Sequence, residues 1–165
     1  MGAPFVLDSN FFIQAHRMHY PMDVVPNFWL KIKELAEKGI IVSIDKVKDE
    51  LNLNKDELTV WCNDNLPEDF FKETDIVIGE YVAVTAWVNS KSTHFNLAAL
   101  NEFLDSTEAD AWLIAHAIAN ESSIVTHETS EPYRKNKVKI PDACAPFGVS
   151  CLNTIELFRY LGEQF

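Results

Sequence analysis

The chain has 165 residues, 47% of them hydrophobic, and a formal charge of −11 from 14 Lys and Arg against 25 Asp and Glu. A chain of this length buries roughly 70% of the surface its unfolded form exposes, so one core holds it without disulfide or metal staples. Five Gly, seven Pro and no biased tract exclude collagen-like, linker-like and disordered classes, and the acidic balance excludes a surface given over wholly to polyanion binding.

In chain order, Pro4-Phe5-Val6-Leu7-Asp8 is a short apolar run stopped by a carboxylate. Ser9 and Asn10, good helix-capping residues, follow it and lead into Phe11-Phe12-Ile13, which reads as strand, turn and helix. Phe28, Ile32 and Leu35 recur at helical spacing before Lys38-Gly39, predicting a helix with a glycine stop. Ile40-Ile41-Val42-Ser43 suits a strand covered on both faces, and a helix follows over Asp45 to Leu51. From 54 to 105 the reading is mostly helical: Lys55 to Asn63 capped by Asn54, then Ile76 to Val88, then Leu97 to Leu104. Ala109 to Asn120 is an alanine-rich helix that must be buried on most sides. Ser123 to Thr126 is a strand, Val138 to Ile140 a short one, and a last helix runs from about Asn153 to Leu161.

Strands separated by helices imply parallel pairing through right-handed crossovers. The predicted fold is therefore a helix-rich α/β protein, a single domain over 1–165 built as a three-layer α/β/α sandwich on a central parallel sheet. Met1 to Asp8 lacks the basic flank and long apolar run of a secretory signal. The longest apolar stretch, Ile76 to Val88, contains Glu80 and is shorter than the ~20 residues of a membrane span. Cys62, Cys144 and Cys151 match neither a disulfide framework nor a zinc ribbon. These features predict a cytoplasmic protein with no membrane contact.

In parallel sheets reactive groups sit beyond the carboxyl ends of the strands. Asp8 ends the first strand, Glu50 lies about two helical turns beyond the second, Asp110 is in the first turn of the buried helix, and Glu128 follows the strand at Ser123 to Thr126. All four belong to one end of the predicted sheet. Four adjacent carboxylates need a positive partner. With no basic residue interleaved among these motifs, the expected counter-ion is a hard divalent cation, Mg²⁺ or Mn²⁺. Taken singly, three of these acids have plainer readings: Asp8 as a helix cap, Asp110 as a partner of the helix dipole, Glu50 as part of a solvated face. Only their conjunction points to a site.

The succession Phe5-Val6-Leu7-Asp8-Ser9-Asn10, Ser43-Ile44-Asp45-Lys46-Val47-Lys48-Asp49-Glu50-Leu51, Ala109-Asp110-Ala111-Trp112-Leu113-Ile114-Ala115 and Ile124-Val125-Thr126-His127-Glu128 resembles the PIN-domain nucleases, in particular a VapC-toxin-like branch. The resemblance implies a Mg²⁺- or Mn²⁺-dependent endoribonuclease with Asp8, Glu50 and Asp110 as metal-binding acids and Asn10 and Thr126 as supporting polar groups. The usual fourth acid is an aspartate two residues after the threonine; here it is Glu128, one methylene longer. A homodimer, an RNA substrate and silencing by a separately encoded antitoxin are also implied. The alternative is a catalytically weak or inactive RNA-binding or scaffold protein on the same fold. A haloacid-dehalogenase-type phosphatase wants a second acid two residues after the first aspartate, where Asn10 stands.

Asp142 reads as a cap of the helix after Pro141 in preference to a fifth acid. His16 and His19 have a transition-metal spacing but no further ligands. Trp29, Trp61, Trp87 and Trp112 read as core or dimer-face residues rather than RNA platforms, and Arg134 to Lys139 as either a phosphate contact or a solvated loop.

Overall fold

The computed structural model describes residues 2–165. Among these residues five short strands form the sheet: β1 (Phe5–Leu7), β2 (Ile41–Ile44), β3 (Phe71–Lys72), β4 (Ile124–Val125) and β5 (Cys151–Leu152). Their spatial order is β3-β2-β1-β4-β5, and every pairing is parallel. Val6 sits between Val42 on one side and Ile124 on the other, so β1 is the central strand. All four residues of β2 are buried, as the unbroken apolar run predicted. The one hydroxyl among them, Ser43 Oγ, donates to the Leu7 carbonyl over 2.6 Å, which removes the cost of burying it.

Among the described residues nine α-helices cover this sheet to give the α/β/α sandwich: α1 (Ser9–Gln14), α2 (Pro26–Glu37), α3 (Asp45–Asn54), α4 (Glu57–Asn65), α5 (Ile78–Ser90), α6 (Leu97–Leu104), α7 (Ala109–Asn120), α8 (Ile140–Cys144) and α9 (Thr154–Leu161). Eight of the twelve residues of α7 are buried, because it packs on α5 while also touching β2, β4 and α3. The Val-rich segment from 78 is a helix rather than a strand; Val84 and Val88, one turn apart, are its buried residues. Phe28 of α2 meets Phe11, Tyr20 and Phe158, tying the first and last helices into one aromatic core. Among the described residues no helix is long and apolar enough to cross a membrane.

The structure corrects three local expectations. Asn54 does not cap a helix: α3 runs through it and ends at Lys55, left-handed at φ 46, and the cap of α4 is Asp56, which accepts from Thr59 N–H over 3.1 Å. Val138 to Ile140 is not a strand. Ile140 opens α8, where Pro141 lies at the helix start, a place suited to its fixed φ and missing N–H. Strands β3 and β5 were not foreseen, since neither carries the β-branched residues that mark the equally short β4.

The order β3-β2-β1-β4-β5 has a functional corollary. From β1 the chain moves to β2 and β3 on one side, then returns to place β4 and β5 on the other. The crevice where such a sheet reverses direction, beyond the carboxyl ends of β1 and β4, is where open α/β sheets hold ligands.

Candidate active site

Asp8 and Thr126 stand at that reversal, each one residue beyond its strand. Asp8 precedes α1 in extended conformation and makes no side-chain cap to it, so the plain capping reading does not hold. Instead Thr126 Oγ1 donates to Asp8 Oδ2 over 2.8 Å. The same hydroxyl accepts from Asn10 Nδ2 at 3.4 Å and from Glu128 N–H at 3.1 Å, while Asn10 Oδ1 accepts from His127 N–H at 3.1 Å. Asn10 and Thr126 thus join the two strand ends in one hydrogen-bonded unit.

A pocket of about 350 Å³ opens above this unit, and Asp8, Glu50, Asp110 and Glu128 all line it with Asn10. Four segments spread over 120 residues supply these side chains: the end of β1, α3, the first turn of α7 and the segment after β4. Burial raises Asp8 from its ordinary 3.8 to about 7; the Thr126 hydrogen bond opposes this, and the charges of Glu128 and Glu50 add to it. Asp110 is held well above its usual value, first by burial and then by the charge of Asp8. Glu128 is also raised, chiefly by burial. Its Oε1 is buried without a hydrogen-bond partner. These shifts share one cause, too little positive charge in a desolvated place.

Two ammonium groups of the basic run 134–139 enter the pocket, so side chains supply part of the positive charge that was expected from a divalent cation alone. Lys139 Nζ lies 3.9 Å from Glu128 Oε1 and 3.1 Å from Glu131. Lys137 Nζ lies 4.0 Å from Glu128 Oε1 and 3.7 Å from Glu102. Burial works to lower Lys137, yet Asp110, Glu128 and Glu102 hold it above its ordinary value. The segment reaches back because Val138 and Ile140 are core residues, which leaves the alternating lysines facing the acids. The basic run was visible in the sequence; its destination was not. Glu102 on α6 and Glu108, the residue before α7, also line the pocket and were missed, having no motif to mark them.

Six carboxylates therefore face two lysines, and the balance remains acidic. Among the described residues no group of three His, Cys, Asp or Glu side chains is already arranged to hold a metal ion. The donor chemistry nevertheless fits a hard cation. The acids that line the pocket are all oxygen donors, buried Asp8 and half-buried Asp110 are both held above their ordinary values, and Glu128 Oε1 lacks a hydrogen-bond partner.

The remaining expectations fall elsewhere. Asp142 is not at the pocket: within α8 it accepts from Ser130 Oγ and from Glu131 N–H, fastening the loop after β4. His16 lies 3.9 Å from Glu57, whereas His19 stacks against His127. Trp29 and Trp112 are buried, Trp61 packs on Trp29 and Tyr81 on Trp112, so these three tryptophans serve the core. Among curated proteins no relative matches the chain. Residues 5–165 match the family described as Domain of unknown function (DUF4411), and the chain belongs to that family.

Proposed function

We propose that the protein is a Mg²⁺- or Mn²⁺-dependent endoribonuclease of PIN type that hydrolyses phosphodiester bonds in single-stranded or looped RNA. The observation that carries this reading is the convergence of Asp8, Glu50, Asp110 and Glu128 on one acidic pocket at the sheet's reversal point. Asp8 and Asp110 would hold the ion, with Glu128 as the weaker ligand. A bound divalent cation supplies an activated water and neutralises charge developing on the phosphate.

The chain's own groups do the rest. The Thr126 hydroxyl fixes the orientation of Asp8, and Asn10 holds Thr126 in place from the first turn of α1. Glu50, half-buried at the pocket wall, is positioned to take the proton released as water attacks. Lys137 and Lys139 meet the non-bridging phosphate oxygens and draw the RNA backbone towards an otherwise acidic surface. A homodimer, and control by an antitoxin whose basic side chains complement the −11 charge, belong to the same proposal.

The lysines also favour a second reading, in which ammonium groups alone balance Glu128 and the pocket binds RNA without cutting it. Incubation of a mixed RNA pool with Mn²⁺, against an EDTA control, separates the two. Cleavage that needs Mn²⁺ and is abolished by Asp8→Asn and by Asp110→Asn, with circular dichroism unchanged, supports the nuclease. Activity undiminished in either variant removes the two-carboxylate mechanism.

A further inference from the structure

Glu128 lines two hollows. Besides the acid pocket it borders a larger one of about 520 Å³, a size within the range of small-ligand sites. The imidazoles of His19 and His127 stack at its wall, with centroids 5.8 Å apart and planes inclined by 26°. His127 is held at both ends: its N–H donates to Asn10 Oδ1, and its ring Nε2 lies 3.1 Å from the hydroxyl of buried Thr154. Leu152 and Ile155 add apolar surface, and Glu156 adds a carboxylate whose Oε1, like Asn153 Oδ1, already accepts a backbone N–H in the cap of α9. Among the described residues no Lys or Arg lines this hollow, whereas Lys137 and Lys139 both line the acid pocket.

We propose that this hollow is a nucleobase subsite, taking the base of the nucleotide next to the phosphate held at the acid pocket, with His19 and His127 as its stacking surface. The inference rests on the nuclease reading for the identity of the ligand as RNA. The partition of chemistry between the hollows supports it. A phosphate seeks the two ammonium groups, and a base seeks a π-face and acceptors for its amino protons. The hydrogen-bonded path from His127 through Asn10 and Thr126 to Asp8 fixes the distance between base wall and buried carboxylate, so seating the base sets which phosphate lies over the acids. Base preference at the cut is then a property of His19 and His127.

The test reads binding without catalysis. Full-length protein in EDTA is titrated with each nucleoside 5′-monophosphate and with inorganic phosphate, following the ¹H–¹³C signals of the five histidine rings. The expected result is saturable movement of His19 and His127 with at least one nucleotide and none with phosphate, while His16, His94 and His116 stay fixed. His19→Ala should weaken that nucleotide about tenfold, His19→Tyr should restore it, and sequencing of cleavage ends should show the flanking-base preference flattened in the alanine variant. Absence of saturable movement, movement of His94 to the same extent, or reproduction of the shifts by phosphate overturns the subsite. Saturable base binding without Mn²⁺-dependent cleavage retains the subsite and sinks the nuclease reading; cleavage without base binding does the reverse.

Discussion

The Thr126 hydroxyl and the Asp8 carboxylate, 118 residues apart, are joined over 2.8 Å with both groups buried. The bond links the carboxyl ends of β1 and β4 where the strand order reverses. It is also the main favourable contact of the Asp8 carboxylate, the group most exposed to desolvation and to the charges of Glu128 and Glu50.

Thr126→Val keeps the shape and removes that hydroxyl. Asp8 then rises further, and Asn10 Nδ2 and the Glu128 N–H lose their acceptor. Unfolding free energy should fall by about 1–3 kcal/mol. Affinity for Mn²⁺, measured by calorimetry, should fall about 10- to 100-fold, as when other supports of metal ligands are removed. A variant that binds Mn²⁺ as tightly as the parent would show that Thr126 does not orient a ligand.

Asp8 and Asp110 should withdraw stability from the metal-free protein as pH rises from about 3.8 through about 7. Asp8 is raised from 3.8 to about 7 and Asp110 is raised also, so the folded state holds protons that the unfolded state has released. Under linkage, stability falls with pH wherever the folded state binds more protons. His116 and His127, held below 6.5 by burial, act in the opposite sense as pH rises through 6.5, and this effect tapers off above it. Glu34, held down to about 2 by Lys38 and Lys31, acts below its ordinary 4.5. Denaturant unfolding in EDTA at both ends of the window checks the sign. Asp8→Asn should remove that part of the dependence, and a variant whose stability follows pH just as the parent's does would contradict the shift.

Lys137→Gln should weaken RNA binding in EDTA and reduce the slope of log K against log salt by ~0.7, one counterion's worth on a single strand. Lys137 faces Asp110, Glu128 and Glu102, so the same change should strengthen Mn²⁺ binding by removing a competing cation. Parallel losses of RNA and Mn²⁺ binding would mean instead that the lysine is structural.

Asp45 anchors the start of α3 to the turn after β3. Its carboxylate accepts from Lys46 N–H at 2.8 Å, Thr74 N–H at 3.2 Å and Thr74 Oγ1 at 2.8 Å, and Thr74 is buried. Asp45→Ala should lower stability by about 2 kcal/mol and the melting temperature by about 4–8 °C. Because Asp45 does not line the acid pocket, Mn²⁺ affinity should hold at temperatures where the variant is folded.

The four acids were legible because each lies at a place that local pattern marks. Asp8 follows a short apolar run and Glu128 a β-branched one, and Asp110 opens an alanine-rich helix whose composition demands burial. Glu50 was placed by counting turns from a strand. Lys137 and Lys139 were equally visible, yet a basic run reads the same whether it faces solvent or a pocket. Glu102 and Glu108 carry no local mark at all.

By itself the sequence determined the alternation of strand and helix, the parallel sheet and the end of it at which reactive side chains gather. Those follow from periodicity, capping and chirality, which act over a few residues or apply to every such chain. Tertiary structure alone decided that β3 and β5 exist, that the two lysines turn inwards, that Thr126 supports Asp8 and that His19 meets His127. Each depends on groups tens to more than a hundred residues apart, brought together by burial of a shared core, and no local pattern encodes such a meeting.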